Sequence, residues 1–91
     1  MSTDDLFADG KKLVGEGKYE EAIASYDKAI EIDPKYTKAW INKGNALRKL
    51  GRHEDAIVCY DRAIEIDPKY TKAWNNKAFV LGELERHEEA I

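Results

Sequence analysis

An all-α fold of stacked antiparallel helix–turn–helix repeats is what this sequence predicts, on three observations. A twelve-residue string, Ala29–Trp40, recurs letter for letter as Ala63–Trp74, an offset of 34 residues. Apolar and small residues fall at i, i+3, i+4 and i+7, the spacing of one helical face. No stretch alternates apolar and polar residues as a half-buried strand does. A fixed period of this length marks a repeat architecture, in which each unit covers its neighbour.

Leu6, Gly10 and Leu13 lie on one face of a first helix, and Gly17 ends it with a residue that tolerates a left-handed backbone. A second helix is read through Ala22, Ile23, Tyr26, Ala29 and Ile30. Asp33-Pro34 closes it, because the residue before a proline is pushed out of the helical region. The cycle repeats with Trp40, Gly44 and Leu47, then Gly51, then Ala56, Ile57, Tyr60, Ala63 and Ile64, then Asp67-Pro68. The units fall at 3–36, 37–70 and 71–91, and together form one domain. The third departs from the pattern: Glu85 stands where the others have Gly17 and Gly51. With no breaker from Glu83 to Ile91, and with Glu85 and Arg86 favouring helix, residues 70–91 can form one continuous helix, the alternative being a hairpin with its turn near Glu85.

Small residues recur at matching places: Gly10, Gly44 and Ala78 in one set, and Ala22, Ala56 and Ala90 in another. They let the helices of a unit approach, with Trp40, Tyr60 and Trp74 filling the space around them. At Trp40, Gly44, Ala56, Tyr60, Ala63 and Pro68, and again at Gly10, Ala22, Tyr26, Ala29 and Pro34, the chain resembles the tetratricopeptide repeat (TPR) family. Leu6 stands where that family often has Trp. The resemblance covers nearly the whole chain. It implies a right-handed α-solenoid with a concave groove lined by the first helix of each repeat, and a role in holding partner proteins or peptides.

On that architecture the groove carries Asp4, Phe7, Ala8, Lys11 and Gly15 from the first unit. The second contributes Lys38, Ile41, Asn42, Asn45 and Lys49, and the third Lys72, Asn75, Asn76, Phe79 and Glu83. Lys38, Asn42, Asn45, Lys49, Lys72, Asn76 and Phe79 are the expected peptide-binding residues. Charge is segregated in the same sense. Pro34–His53 holds six basic residues and no acid, whereas Glu54–Asp67 holds five acids and only Arg62 as a base. Pro68–Gly82 returns to bases alone: Lys69, Lys72 and Lys77. A groove more positive than the outer face attracts an acidic segment or a C-terminal carboxylate, less so in salt. The carboxylate clamp of some TPR proteins is matched at Asn42 and Lys72. Phe7, Lys11 and Asn76 replace its other members.

The alternative is a self-associating module. The third unit stops as its second helix begins, so Trp74, Leu81, Leu84 and Ile91 lack their expected cover and are the residues through which a homodimer, with or without exchange of the end segment, is expected to form.

The remaining features point away from other classes. A net charge of −3 argues against nucleic acid as partner. The N-terminus is polar and acidic, unlike a secretory signal, and the longest apolar run, Ala56–Tyr60, cannot cross a bilayer. A lone cysteine, Cys59, fits a reducing, cytoplasmic setting. His53 and His87 occupy the same repeat position. They are therefore expected about 10 Å apart, the spacing of packed helices, whereas zinc ligands lie at about 2 Å from the metal. Glu20-Glu21 and Glu88-Glu89 are adjacent on helices and point apart. No catalytic residues, cofactor or metal are expected.

Overall fold

Ser2 starts the first helix by a reciprocal cap. Its hydroxyl accepts from the Asp5 amide at 3.1 Å, and the Asp5 carboxylate accepts from the Ser2 amide at 3.4 Å. From there the chain, described by a computed structural model over residues 1–90 with side chains through Arg86, forms five α-helices and no strand among the described residues. They are α1 (Thr3–Gly15), α2 (Tyr19–Ile32), α3 (Thr37–Lys49), α4 (His53–Ile66) and α5 (Thr71–Ala90). Ile91 lies outside the described residues, as do the side chains of His87, Glu88, Glu89 and Ala90. No described helix is long and apolar enough to cross a membrane.

The turns follow from the residues that make them. Gly17 and Gly51 sit at φ +77° and +80°, where a Cβ is strained. In both, two backbone bonds close the helix end: Lys18 N to Leu13 O and Gly17 N to Val14 O, and likewise Arg52 N to Leu47 O and Gly51 N to Arg48 O, all at 2.9 Å. The exits of α2 and α4 are extended at Asp33 and Asp67, ahead of each proline. Their carboxylates accept from the Lys35 and Lys69 amides. Each tryptophan then ties the next helix to the proline turn, Trp40 Nε1 donating to Pro34 O at 2.9 Å and Trp74 Nε1 to Pro68 O at 2.8 Å.

Helices α1 and α2 form one antiparallel pair, α3 and α4 a second, and α5 packs against both members of the second. The pairs close on tyrosines set against glycines. A Cβ on Gly44 would lie 2.6 Å from the Tyr60 ring, and one on Gly10 would collide with Tyr26. Tyr26, Tyr60, Ala22, Ala29, Ala56 and Ala63 are buried. Pair meets pair through α2 against α3 and α4 against α5, each joint carrying a 2.7 Å ion pair, Lys43–Asp27 and Lys77–Asp61. The result is an all-α, TPR-like solenoid.

At Glu85 no turn forms and α5 continues through it, so of the two arrangements open to this unit the continuous helix is the one observed. Trp74 and Leu81 are exposed, at 49% and 44%, while Leu47, the counterpart of Leu81 in α3, is buried at 3%. Leu84 is half-buried, so it keeps more cover than its place in an unpaired unit suggested.

Candidate functional site

The first helices α1, α3 and α5 lie side by side along one face. Together with Tyr70 from the turn before α5, they enclose a hollow of about 370 Å³ lined by Phe7, Lys11, Lys38, Ile41, Asn42, Tyr70 and Lys72. A smaller hollow of about 200 Å³ continues from it, lined by Lys11, Val14, Tyr26, Asn42 and Asn45. Lys11 and Asn42 belong to both, so the two form one groove.

Its lysines are not ion-paired. Among the described residues, Lys11, Lys38, Lys49 and Lys72 make no ion pair within 4.0 Å, whereas Lys43 and Lys77, on the faces between pairs, are both neutralised. Phe7 gives the groove a rigid apolar wall. It stacks on Tyr36 with ring centres 5.2 Å apart, meets Tyr26 at 5.9 Å, and has the Lys11 ammonium 5.8 Å from its centre. Three ammonium groups and an amide beside aromatic walls suit an anion attached to an apolar group.

The floor is a tyrosine–amide network. Tyr60 donates its hydroxyl to Asn45 Oδ1 at 2.6 Å, and Asn76 Nδ2 donates to the same oxygen at 3.1 Å. Burial pushes the Tyr60 hydroxyl up to about 12, partly offset by Arg48. Burial likewise raises Tyr26 to about 12, with the amide of Asn42 acting the other way. Both phenols are thus held neutral, and that of Tyr60 donates to Asn45. The Cys59 thiol is raised by burial to about 11, away from nucleophilic use.

Of the residues expected from sequence, Lys38, Asn42 and Lys72 converge on the larger hollow, and Asn45 joins Asn42 at the smaller. Asn76 reaches the groove through Asn45. Phe79 stands apart, 54% exposed, with the Arg48 guanidinium 5.1 Å from its ring centre. Lys49 is exposed at the last turn of α3 and lines neither hollow. Tyr70 was not expected. It precedes α5, and only the fold brings that proline turn over the groove. The turn end also gathers acids: Asp4, Asp33 and Asp67 line a neighbouring open hollow with Lys35 and Lys38. A larger hollow of about 710 Å³ lies elsewhere, between the start of α4 and the extended part of α5, with both signs of charge on its walls. Among the described residues no three His, Cys, Asp or Glu side chains gather as a metal site.

These features define an α-helical repeat scaffold whose first helices form a groove. Models of the tetratricopeptide repeat match residues 37–70 and 59–91, and a TPR repeat model matches residues 10–51. The chain belongs to the tetratricopeptide repeat family. Among solved structures it is similar to the Sgt2 TPR domain from Aspergillus fumigatus, with TM-score 0.88 and 28% identity over 94% of this chain and 57% of that one. It is also similar to the first TPR of Spaghetti (RPAP3), bound to the HSP90 peptide SRMEEVD. That match has TM-score 0.90 and 29% identity over 98% of this chain and 72% of the other. An uncharacterized protein of Methanocaldococcus jannaschii is 44% identical over 41 residues, 45% of this chain and 48% of that protein. The chain thus spans about half the length of this curated relative, and less than two thirds of the Sgt2 domain.

Proposed function

We propose that this protein-interaction scaffold, organised as repeats 3–36, 37–70 and 71–91, binds an acidic peptide in the groove of α1, α3 and α5. The observation that carries the reading is the convergence of Lys11, Lys38 and Lys72 with Asn42 on one hollow, free of ion pairs among the described residues. The similarity to a TPR bound to the acidic peptide SRMEEVD supports it. A carboxylate, terminal or side-chain, sits among the three ammonium groups, and its neighbouring apolar group rests on Phe7 and Ile41. The setting proposed is cytoplasmic, where a lone thiol such as that of Cys59 stays reduced.

The test is fluorescence anisotropy with a labelled acidic peptide and its neutral, amide-capped counterpart. The acidic peptide binds more tightly, and the difference shrinks as salt rises through 0.15 M, where screening acts over about 8 Å. Replacing Lys11, Lys38 and Lys72 together by alanine weakens binding about tenfold, three solvent-facing contacts of about 0.5 kcal/mol each. Equal binding of the two peptides refutes the reading.

The uncovered face of α5 favours a second reading, self-association through the exposed Trp74 and Leu81, with the half-buried Leu84 at its edge. In this reading the molar mass from light scattering rises with concentration, and Trp74→Ala restores the monomer. A mass fixed at the 10.4 kDa of the chain rejects it.

A further inference from the structure

Asn45 carries an amide whose oxygen accepts two hydrogen bonds within the groove floor. Its Oδ1 has two lone pairs, and both are taken, by the Tyr60 hydroxyl at 2.6 Å and by Asn76 Nδ2 at 3.1 Å. This fixes which way the amide points. Its Nδ2, with two protons, has no partner among the described residues, and Asn45 lines the smaller hollow beside Lys11 and Asn42. The donor is therefore presented next to the lysines, held by a phenol that burial keeps neutral.

We infer that Asn45 is a main-chain reader: its Nδ2 donates to a backbone carbonyl of the bound peptide close to the carboxylate, and Tyr60 is the residue that positions it. This rests on the acidic-peptide reading of the groove. It adds what charge cannot supply. Ammonium groups attract any acid from any angle, whereas an oriented amide accepts only an extended chain whose carbonyl faces it. The repeat itself shows the division. The position of Asn45 in α3 is held by Lys11 in α1 and Phe79 in α5. Only the middle helix places an amide there, and only there does a tyrosine hydroxyl bond to that position.

The experiment takes one acidic peptide and a series in which each backbone amide is replaced in turn by an ester, whose carbonyl is a weaker acceptor. One ester peptide next to the carboxylate binds wild type about 3- to 10-fold more weakly than the parent, the range of one neutral hydrogen bond. Against Asn45→Ala that penalty vanishes. Tyr60→Phe keeps the ring that fills the core. It weakens the parent peptide about threefold, leaves the salt dependence unchanged, and removes the peptide-induced shift of the Asn45 side-chain amide in NMR spectra. Lys11→Ala does the converse, reducing the salt dependence and keeping the ester pattern. If wild type binds the peptide but no ester costs affinity, or the cost persists in Asn45→Ala, the main-chain role is overturned and the acidic groove stands. If wild type shows no affinity for the acidic peptide at low salt, both fall together.

Discussion

Helix α3 and the first thirteen residues of α5 share Thr, Lys, Ala, Trp, Asn, Lys and Leu at matching positions, yet have opposite fates. Gly44 meets the Tyr60 ring and Leu47 is 3% exposed, because α4 folds back over them. The corresponding Ala78 and Leu81 in α5 are exposed, with no second helix above them. The two helices also differ in how they end. Gly51 takes φ +80° and reverses the chain, and Glu85 stays helical and carries α5 onward. Apolar periodicity thus says which face of a helix is sticky, and the turn residue says whether the helix ends there.

The sharpest way to break this comparison is to fill the two equivalent slots. Gly44→Val drives its side chain into Tyr60 and destabilises by about 3 kcal/mol, the upper end of overpacking. Ala78→Val, on an open face, changes stability by less than about 0.5 kcal/mol. Urea unfolding measures both, and equal costs would mean that the pairs do not close as described. Tyr60→Ala empties a core site and costs about 3–5 kcal/mol by the same measurement, several times more than Trp74→Ala. Smaller effects come from the turns. Gly51→Ala forces a Cβ into the left-handed region and costs about 1 kcal/mol. Glu85→Gly costs about 1 kcal/mol of helix propensity. It is expected to end α5 near that residue, seen as lost hydrogen-exchange protection beyond it.

Alkaline pH gives a slower readout. Tyr26 and Tyr60 are raised from 10.0 to about 12 and Cys59 from 9.0 to about 11. A raised acid holds its proton longer when folded than when unfolded. Stability is therefore full below pH 9 and falls from pH 9 to 12, as the unfolded chain ionises first. Tyr60→Phe makes that fall shallower between pH 10 and 12. A flat profile there would contradict the burial of these phenols.

Much of this was legible in the chain. Gly17, Gly51, Asp33-Pro34 and Asp67-Pro68 marked the helix ends, and Glu85 marked the missing turn. The resemblance to the family, carried along the repeat register, implied that Lys38, Asn42 and Lys72 lie on the groove face. Register could not show which residues share a hollow. Asn45 meets Tyr60 and Asn76 across 15 and 31 residues of sequence, so its fixed orientation depends on two helix packings at once. Lys49 shares the lysine pattern but sits one turn beyond the hollows, and Tyr70 enters from a turn that the helical period does not describe.

The account rests on α1, α3 and α5 offering a groove and α5 offering a separate open face. Backbone NMR with an acidic peptide added at low salt distinguishes them most directly. The account predicts saturable shifts centred on Lys11, Asn42, Asn45 and Lys72, fading as salt is raised. Shifts confined to Trp74, Ala78 and Leu81, or spread evenly over the chain, would contradict it.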